Sequence, residues 1–251
     1  MIQVVLIGSG NVAYHFHKAL LSAPGVALKQ LVARRLEALD DFQPGVPRRE
    51  LGAALEDADV YIIAVSDSAI ETVANRLPKK TGLVVHTSGA LGLETLREVS
   101  RAGVLYPLQT FSRSRPLDFV KIPLLIETGK ETDLPLLRAL AEKLSAHVHK
   151  LDWAGRRQLH LAAVFANNFS NHMAYLGQSL CQEAGLPEEL LKPLLRETFS
   201  KLDALTAYES QTGPARRGDR KTLQAHINLL RDPLQRELYQ KISESIQKTY
   251  D

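Results

Sequence analysis

Apolar residues come in short unbroken runs through the first half of the chain and at three- and four-residue steps through the second. The runs are Gln3–Ile7, Val26–Ala33, Val60–Val65, Leu83–His86 and Leu124–Glu127, with another strand expected near His147–Leu151. Continuous rather than alternating apolarity predicts parallel strands covered on both faces. Helical spacing falls between them, over Asn11–Ser22, Ala69–Leu77, Leu93–Ser100 and Leu134–Ser145. This alternation predicts an α/β fold with an open, doubly wound parallel sheet. From Trp153 the period is helical almost to the end. Leu159, Ala162, Ala166, Phe169, Met173, Leu176 and Leu180 form one long stripe, stopped by Gly185. Later helices are expected to start at Pro187 and at Pro233, the second capped by Asp232. The expectation is an α/β domain over residues 1–152 and an all-helical C-terminal domain over residues 153–251.

The first strand runs through a glycine turn, GSGNVA, into the first helix. Gly8 lets the chain turn sharply, Gly10 lets a diphosphate approach the backbone, and Ala13 lets helix and strand pack closely. Ser9, Asn11 and Val12 complete the turn, and the helix N-terminus faces the phosphates. The G-x-G-x-x-A pattern carries weight because it follows a strand and opens a helix. At the end of the second strand, where an acidic residue would bond a ribose 2′-hydroxyl, the chain reads VARR. Arg34 and Arg35 suit a 2′-phosphate, hence NADP, although Glu37 leaves room for NAD. Dinucleotides lie at the carboxyl ends of such strands, so Val65, Ser66 and Ser88 are further cofactor candidates. Asp67 and Ser88 equally suit turn and helix capping.

Candidates for chemistry lie further on. In LYPLQTFS, Gln109 sits in a loop behind Pro107 and can bond a carboxamide, ribose or substrate. On the long helix, His160, Asn167 and Asn171 share a face with Asn168 on the flank, among Phe165 and Phe169, which suggests a lined cavity. Histidine can give a proton to a carbonyl or imine, and asparagine can orient the substrate oxygen. The alternative for His160 is a hydrogen-bonded histidine at the domain junction. TGPARRGD puts Arg216 and Arg217 on a turn, with Asp219 as a cap. One arginine, Arg217 for choice, can grip a carboxylate or phosphate, possible also in a neighbouring subunit; the alternative is a solvated basic loop. His172 and His226 are read as structural, His15 and His17 as surface residues, and the histidines give no metal-ligand spacing.

Composition narrows the classes. Lys plus Arg number 31 and Asp plus Glu 28, a net charge of +3 that argues against a nucleic-acid partner. The single cysteine, Cys181, excludes an internal disulfide and fits a reducing, cytoplasmic setting. No apolar run approaches the ~20 residues of a membrane span.

Taken in order, GSGNVA, VVHTSGALG, YPLQTFS, LHLAAVFANNF and TGPARRGD resemble a bacterial family that joins a Rossmann-like domain to a helical domain of unknown function 2520. The resemblance covers nearly the whole chain. It implies an N-terminal Rossmann-like parallel sheet, an NADP-binding oxidoreductase and a homodimer built through the helical domains, and it brings no known substrate. More distantly the layout is similar to pyrroline-5-carboxylate reductases and β-hydroxyacid dehydrogenases. In the latter a lysine and an asparagine one turn apart handle the substrate. Matching Asn168 to that asparagine puts Val164 at the lysine position, which leaves His160, one turn earlier, as the substitute proton donor. Tyr106 stands where the family often carries histidine. The reading is an NADP(H)-dependent oxidoreductase moving a hydride to or from a small carbonyl, imine or hydroxy acid in an interdomain cleft. The rivals are a coenzyme-binding sensor or partner-docking protein without turnover, and use of a deazaflavin hydride donor.

Overall fold

A computed structural model describes residues 1–77 and 82–250. Among these, eight strands form one sheet in the order β3-β2-β1-β4-β5-β6-β7-β8. They are β1 (Ile2–Ile7), β2 (Val26–Ala33), β3 (Arg48–Glu50), β4 (Val60–Ile63), β5 (Leu83–His86), β6 (Ala102–Pro107), β7 (Leu124–Thr128) and β8 (Val148–Lys150). The first six run parallel; β7 pairs antiparallel with β6, and β8 follows β7 in parallel.

Strand alternation sorts the apolar runs onto two faces. Val4, Leu6, Val60 and Ile62 pack with Ala13, Phe16 and Leu20 of α1 (Asn11–Ser22) and with Leu137, Leu140 and Ala141 of α3 (Leu134–Leu144). Val5, Ile7, Tyr61 and Ile63 face the other way, onto Ile70, Val73 and Ala74 of α2 (Ile70–Arg76). The unbroken runs are therefore central strands buried on both sides, as the sequence predicts.

Several expectations need correction. β3 carries Arg48, Arg49 and Glu50, and so has no apolar signature. β6 was not expected as a strand; its Tyr106-Pro107 end reads as a loop because proline donates nothing to a ladder. The segment expected to be helical over Leu93–Ser100 makes only a 3₁₀ turn, Leu93–Leu96. His15 and His17 are buried rather than superficial, because residues 111–113 and Phe42 cover that side of α1.

By contacts the chain divides into Met1–Asn167 and Asn168–Asp251. α4 (Trp153–Ala163) thus counts with the sheet, on which it packs Leu159 beside Val104, Tyr106 and Leu125. The helical stripe is not one α-helix. Val164–Phe169 is π-helical, and α5 (Ser170–Glu183) follows. The second unit continues with α6 (Leu191–Ser200), α7 (Ala207–Ser210), α8 (Arg220–Leu229) and α9 (Pro233–Tyr250). Asp219 and Asp232 cap as expected, accepting from the backbone N–H of Thr222 at 3.1 Å and of Gln235 at 2.8 Å. Among the described residues no helix is long and apolar enough to cross a membrane.

Candidate active site

Gly8 adopts φ +136°, and a Cβ there would lie 2.0 Å from the Ala64 carbonyl oxygen. Here the close approach of β1 to the end of β4 makes glycine obligatory. Gly10 is different. It starts α1 with extended backbone (φ −77°, ψ −177°), and an added Cβ would meet nothing within 4 Å. No protein contact demands a glycine at that point, so the missing side chain leaves open space above the helix N-terminus. Tyr14 is the first residue whose N–H bonds back to Gly10. The amides of Asn11, Val12 and Ala13 therefore belong to the unsatisfied first turn, and no acidic side chain occupies it. An open cradle of amides at the positive end of a helix fits a diphosphate. Ala13 is wholly buried in the core between helix and sheet.

The other cofactor candidates line the carboxyl ends of the parallel strands. Arg34 and Arg35 follow β2 and are exposed. Val65 is half-buried and Ser66 exposed behind β4. Ser88, behind β5, is buried, and its hydroxyl accepts from the N–H groups of Ala90 and Leu91, each at 3.1 Å. That oxygen caps a turn, which leaves its proton as the group free for a ligand.

At the same edge, the Tyr106 hydroxyl and His160 Nδ1 are hydrogen-bonded at 3.1 Å, with their rings edge to face. Gly89 permits this pairing, since a Cβ there would lie 2.6 Å from Tyr106 Cζ and 2.8 Å from His160 Nδ1. Burial, reinforced by Asp67, raises the Tyr106 pKa above its usual value and keeps the phenol protonated. His86, the last residue of β5, is fully buried. Its Nδ1 faces the Ser88 N–H at 3.2 Å and its Nε2 the Gly92 carbonyl at 3.3 Å, a pattern that fits the neutral ring with its proton on Nε2. Burial and the Arg156 charge lower its pKa to about 4.

α4 brings His160 to this edge. Asp152 caps the helix by accepting from Gly155 N–H at 2.9 Å, and Trp153 Nε1 donates to the Ala90 carbonyl at 3.2 Å. Arg156, one turn before His160, is completely buried; it pairs with Glu127 and donates to the Leu91 carbonyl at 2.6 Å.

The remaining candidates are exposed. Gln109 is exposed, its amide oxygen accepting from Thr110 N–H at 2.8 Å. Asn167 and Asn168 are exposed on the π-helical segment, as are Phe165 and Phe169. The π-turn holds more residues than an α-turn, so the spacing from His160 to Asn167 no longer makes two full turns. Arg217 is exposed, whereas Arg216 lies over the Tyr250 ring at 4.2 Å and is taken up structurally.

Tyr106, Arg156 and Arg113 are not among the residues that the sequence singles out for the site. Arg113 donates to the Ser9 carbonyl inside the glycine turn and, at 2.5 Å, to Asp41. Its only sequence signal is a basic SRSRP stretch behind the loop.

The strand order 3-2-1-4-5-6, with a glycine turn at its centre, defines a Rossmann-type protein. A family profile described only as a domain of unknown function, DUF2520, matches residues 122–246. A candidate NADP oxidoreductase from Bacteroides fragilis is 34% identical, with TM-score 0.88 over 98% of each chain. The chain belongs to this DUF2520 family. Protein TM1727 from Thermotoga maritima is 22% identical with TM-score 0.76, again over 98% of each chain. An imine reductase from Myxococcus stipitatus, solved with NADP+, is 15% identical with TM-score 0.61 over 99% of this chain and 92% of that one. These last two share the fold. A search of curated proteins gives no significant match.

Proposed function

We propose that the protein is an NADP(H)-dependent oxidoreductase acting on a small carbonyl, imine or hydroxy acid. The observation that carries this reading is the open amide cradle at Gly10, which the protein's own packing does not require. The NADP named for the Bacteroides fragilis relative and the Myxococcus stipitatus imine reductase supports the choice of coenzyme. Gly8 through Ala13 hold the diphosphate, Arg34 and Arg35 the 2′-phosphate, and Val65, Ser66 and Ser88 the nicotinamide half. When bound, the coenzyme supplies or accepts the hydride. The protein's part is to hold a proton at the substrate heteroatom. His160 and the Tyr106 hydroxyl share one hydrogen bond at the strand ends, so either can deliver a proton that the other helps to replace. Gln109, Asn167, Asn168 and Arg217 are the proposed substrate contacts, and their exposure in the single chain leaves them accessible.

The exposed apolar faces of the second unit support a homodimer. Between residues 168 and 250 only Ala215, Leu223 and Leu230 are buried, while Leu190, Leu194 and Leu234 are each more than 60% exposed. Helices bury an apolar stripe to be stable, and a second copy supplies the missing partner. The single cysteine, half-buried on α5, suits a reducing cytoplasm.

Titration calorimetry with NADPH and NADH tests the coenzyme reading. Arg34→Ala/Arg35→Ala should weaken NADPH binding by about ten- to a hundredfold, the worth of one or two charge-assisted bonds, and spare NADH. Equal weakening of both, or no heat with either coenzyme in the parent protein, refutes it. Val164 at the lysine position favours a second reading, a coenzyme sensor. Tight NADPH binding with no loss of 340 nm absorbance across keto acids, imines and lactones would establish that one.

A further inference from the structure

Residues 111–113, which follow β6, are fastened to the glycine turn by side chains on both sides. Asn11 Nδ2 donates to the Phe111 carbonyl at 3.0 Å, and His15 Nε2 lies 3.0 Å from the Ser112 carbonyl. Arg113 reaches furthest. Its guanidinium donates to the carbonyl of Ser9, between the two glycines of the turn, and to Asp41 at 2.5 Å. It rests near the rings of Tyr14 and Phe42, with centroids at 5.6 and 5.9 Å. Asp41 lies one 3₁₀ turn (Leu36–Leu39) beyond Arg35, on the segment that leaves β2. Arg113 therefore spans the two places a dinucleotide must touch, the phosphate turn and the exit of the ribose-binding strand.

We propose that Arg113 is a third arginine for the coenzyme's 2′-phosphate, and that Asp41 holds it in place beforehand and competes with that phosphate. The proposal rests on the coenzyme reading above. The Asp41 side chain is 69% exposed and that of Arg113 34%, so their ion pair is one that water and salt weaken. A phosphate dianion brings more charge and three acceptor oxygens, and it displaces a single exposed carboxylate. The bond to Ser9 and the two aromatic rings stay in place meanwhile, so the guanidinium is already oriented when the phosphate arrives.

The test is calorimetry with NADPH and NADH on the whole chain. Asp41→Asn removes the competitor and should tighten NADPH binding about three- to tenfold while leaving NADH unchanged. Arg113→Ala should weaken NADPH about tenfold or more and NADH much less, with Arg113→Lys between. If Arg113 only straps the loop, Asp41→Asn leaves NADPH affinity unchanged or lowers it, and the proposal is overturned. Equal loss of both coenzymes in Arg113→Ala overturns the 2′-phosphate assignment. Should that variant fail to fold, Asp41→Asn and Arg113→Lys decide. Failure of the parent protein to bind either coenzyme would remove the underlying reading instead, a result distinct from the others.

Discussion

Arg156 offers the sharpest test of how α4 is held. Among the described residues it is the largest fully buried side chain, and its charge is met by Glu127, whose side chain is 17% exposed. The second Glu127 oxygen accepts from the Trp153 N–H at 3.2 Å, and the second Arg156 nitrogen donates to the Leu91 carbonyl at 2.6 Å. Arg156→Met keeps most of the stem volume but leaves a nearly buried carboxylate without its cation. Breaking such a pair from one side costs about 3–5 kcal/mol. With a urea slope of ~1–3 kcal/mol per molar, the midpoint should fall by more than about 1 M. Arg156→Met/Glu127→Leu leaves no charge behind and should recover part of that loss, since an apolar pair often replaces a buried ion pair at little cost. Urea melts read by the fluorescence of the single tryptophan, Trp153 at the head of α4, follow this directly. A double variant as unstable as the sum of its two single changes would refute the coupling.

The two glycines of the turn should separate cleanly. Gly8→Ala meets both positive φ and the Ala64 carbonyl and should lower stability by more than about 2 kcal/mol in thermal melts; unchanged melting would contradict the geometry. Gly10→Ala should leave the melt alone yet weaken NADPH binding in calorimetry, because the added methyl meets only the ligand. His17, with its pKa lowered to about 4 by burial, Arg48 and Lys18, and His86, likewise about 4, remain neutral in the fold while the unfolded chain protonates near 6.5. The unfolded state then binds more protons, so stability should fall as pH drops from about 6.5 to 4, by up to ~3 kcal/mol per histidine. His17 has no hydrogen-bond partner among the described residues, so His17→Leu should flatten that slope in melts taken across this range, and an unaltered slope would discount it. Leu194→Glu, on an exposed face of α6, should convert a dimer to a monomer in sedimentation; a dimer that survives places the contact elsewhere.

The central strands and α1 were legible because their burial is local and repetitive. Val4 through Ile7 and Val60 through Ile63 are apolar at every position since both faces are covered, and Gly8 and Gly10 mark the turn between strand and helix. What could not be read depends on partners distant in sequence. Tyr106 meets His160 across 54 residues, and Arg113 meets Ser9 across 104. His15 and His17 look superficial on a helical wheel because the chain that covers them comes from outside α1. β3 escaped notice as a charged edge strand, and the π-turn at Val164–Phe169 keeps the composition of an ordinary helix.

The reversal at β7 has a geometric result. β7 starts beside Pro107, at the edge where the parallel strands finish, and runs back towards their beginnings. β8 copies that heading for three residues, so the chain leaves the sheet level with Ile126 rather than at the edge where the parallel strands finish. From there α4 advances about 1.5 Å per residue, so His160, seven residues past Trp153, lies ~10 Å along the axis from its head. At that level its imidazole meets the Tyr106 phenol. Two strands travelling backwards thus set the starting point of the helix that brings an imidazole to a phenol near the end of β6.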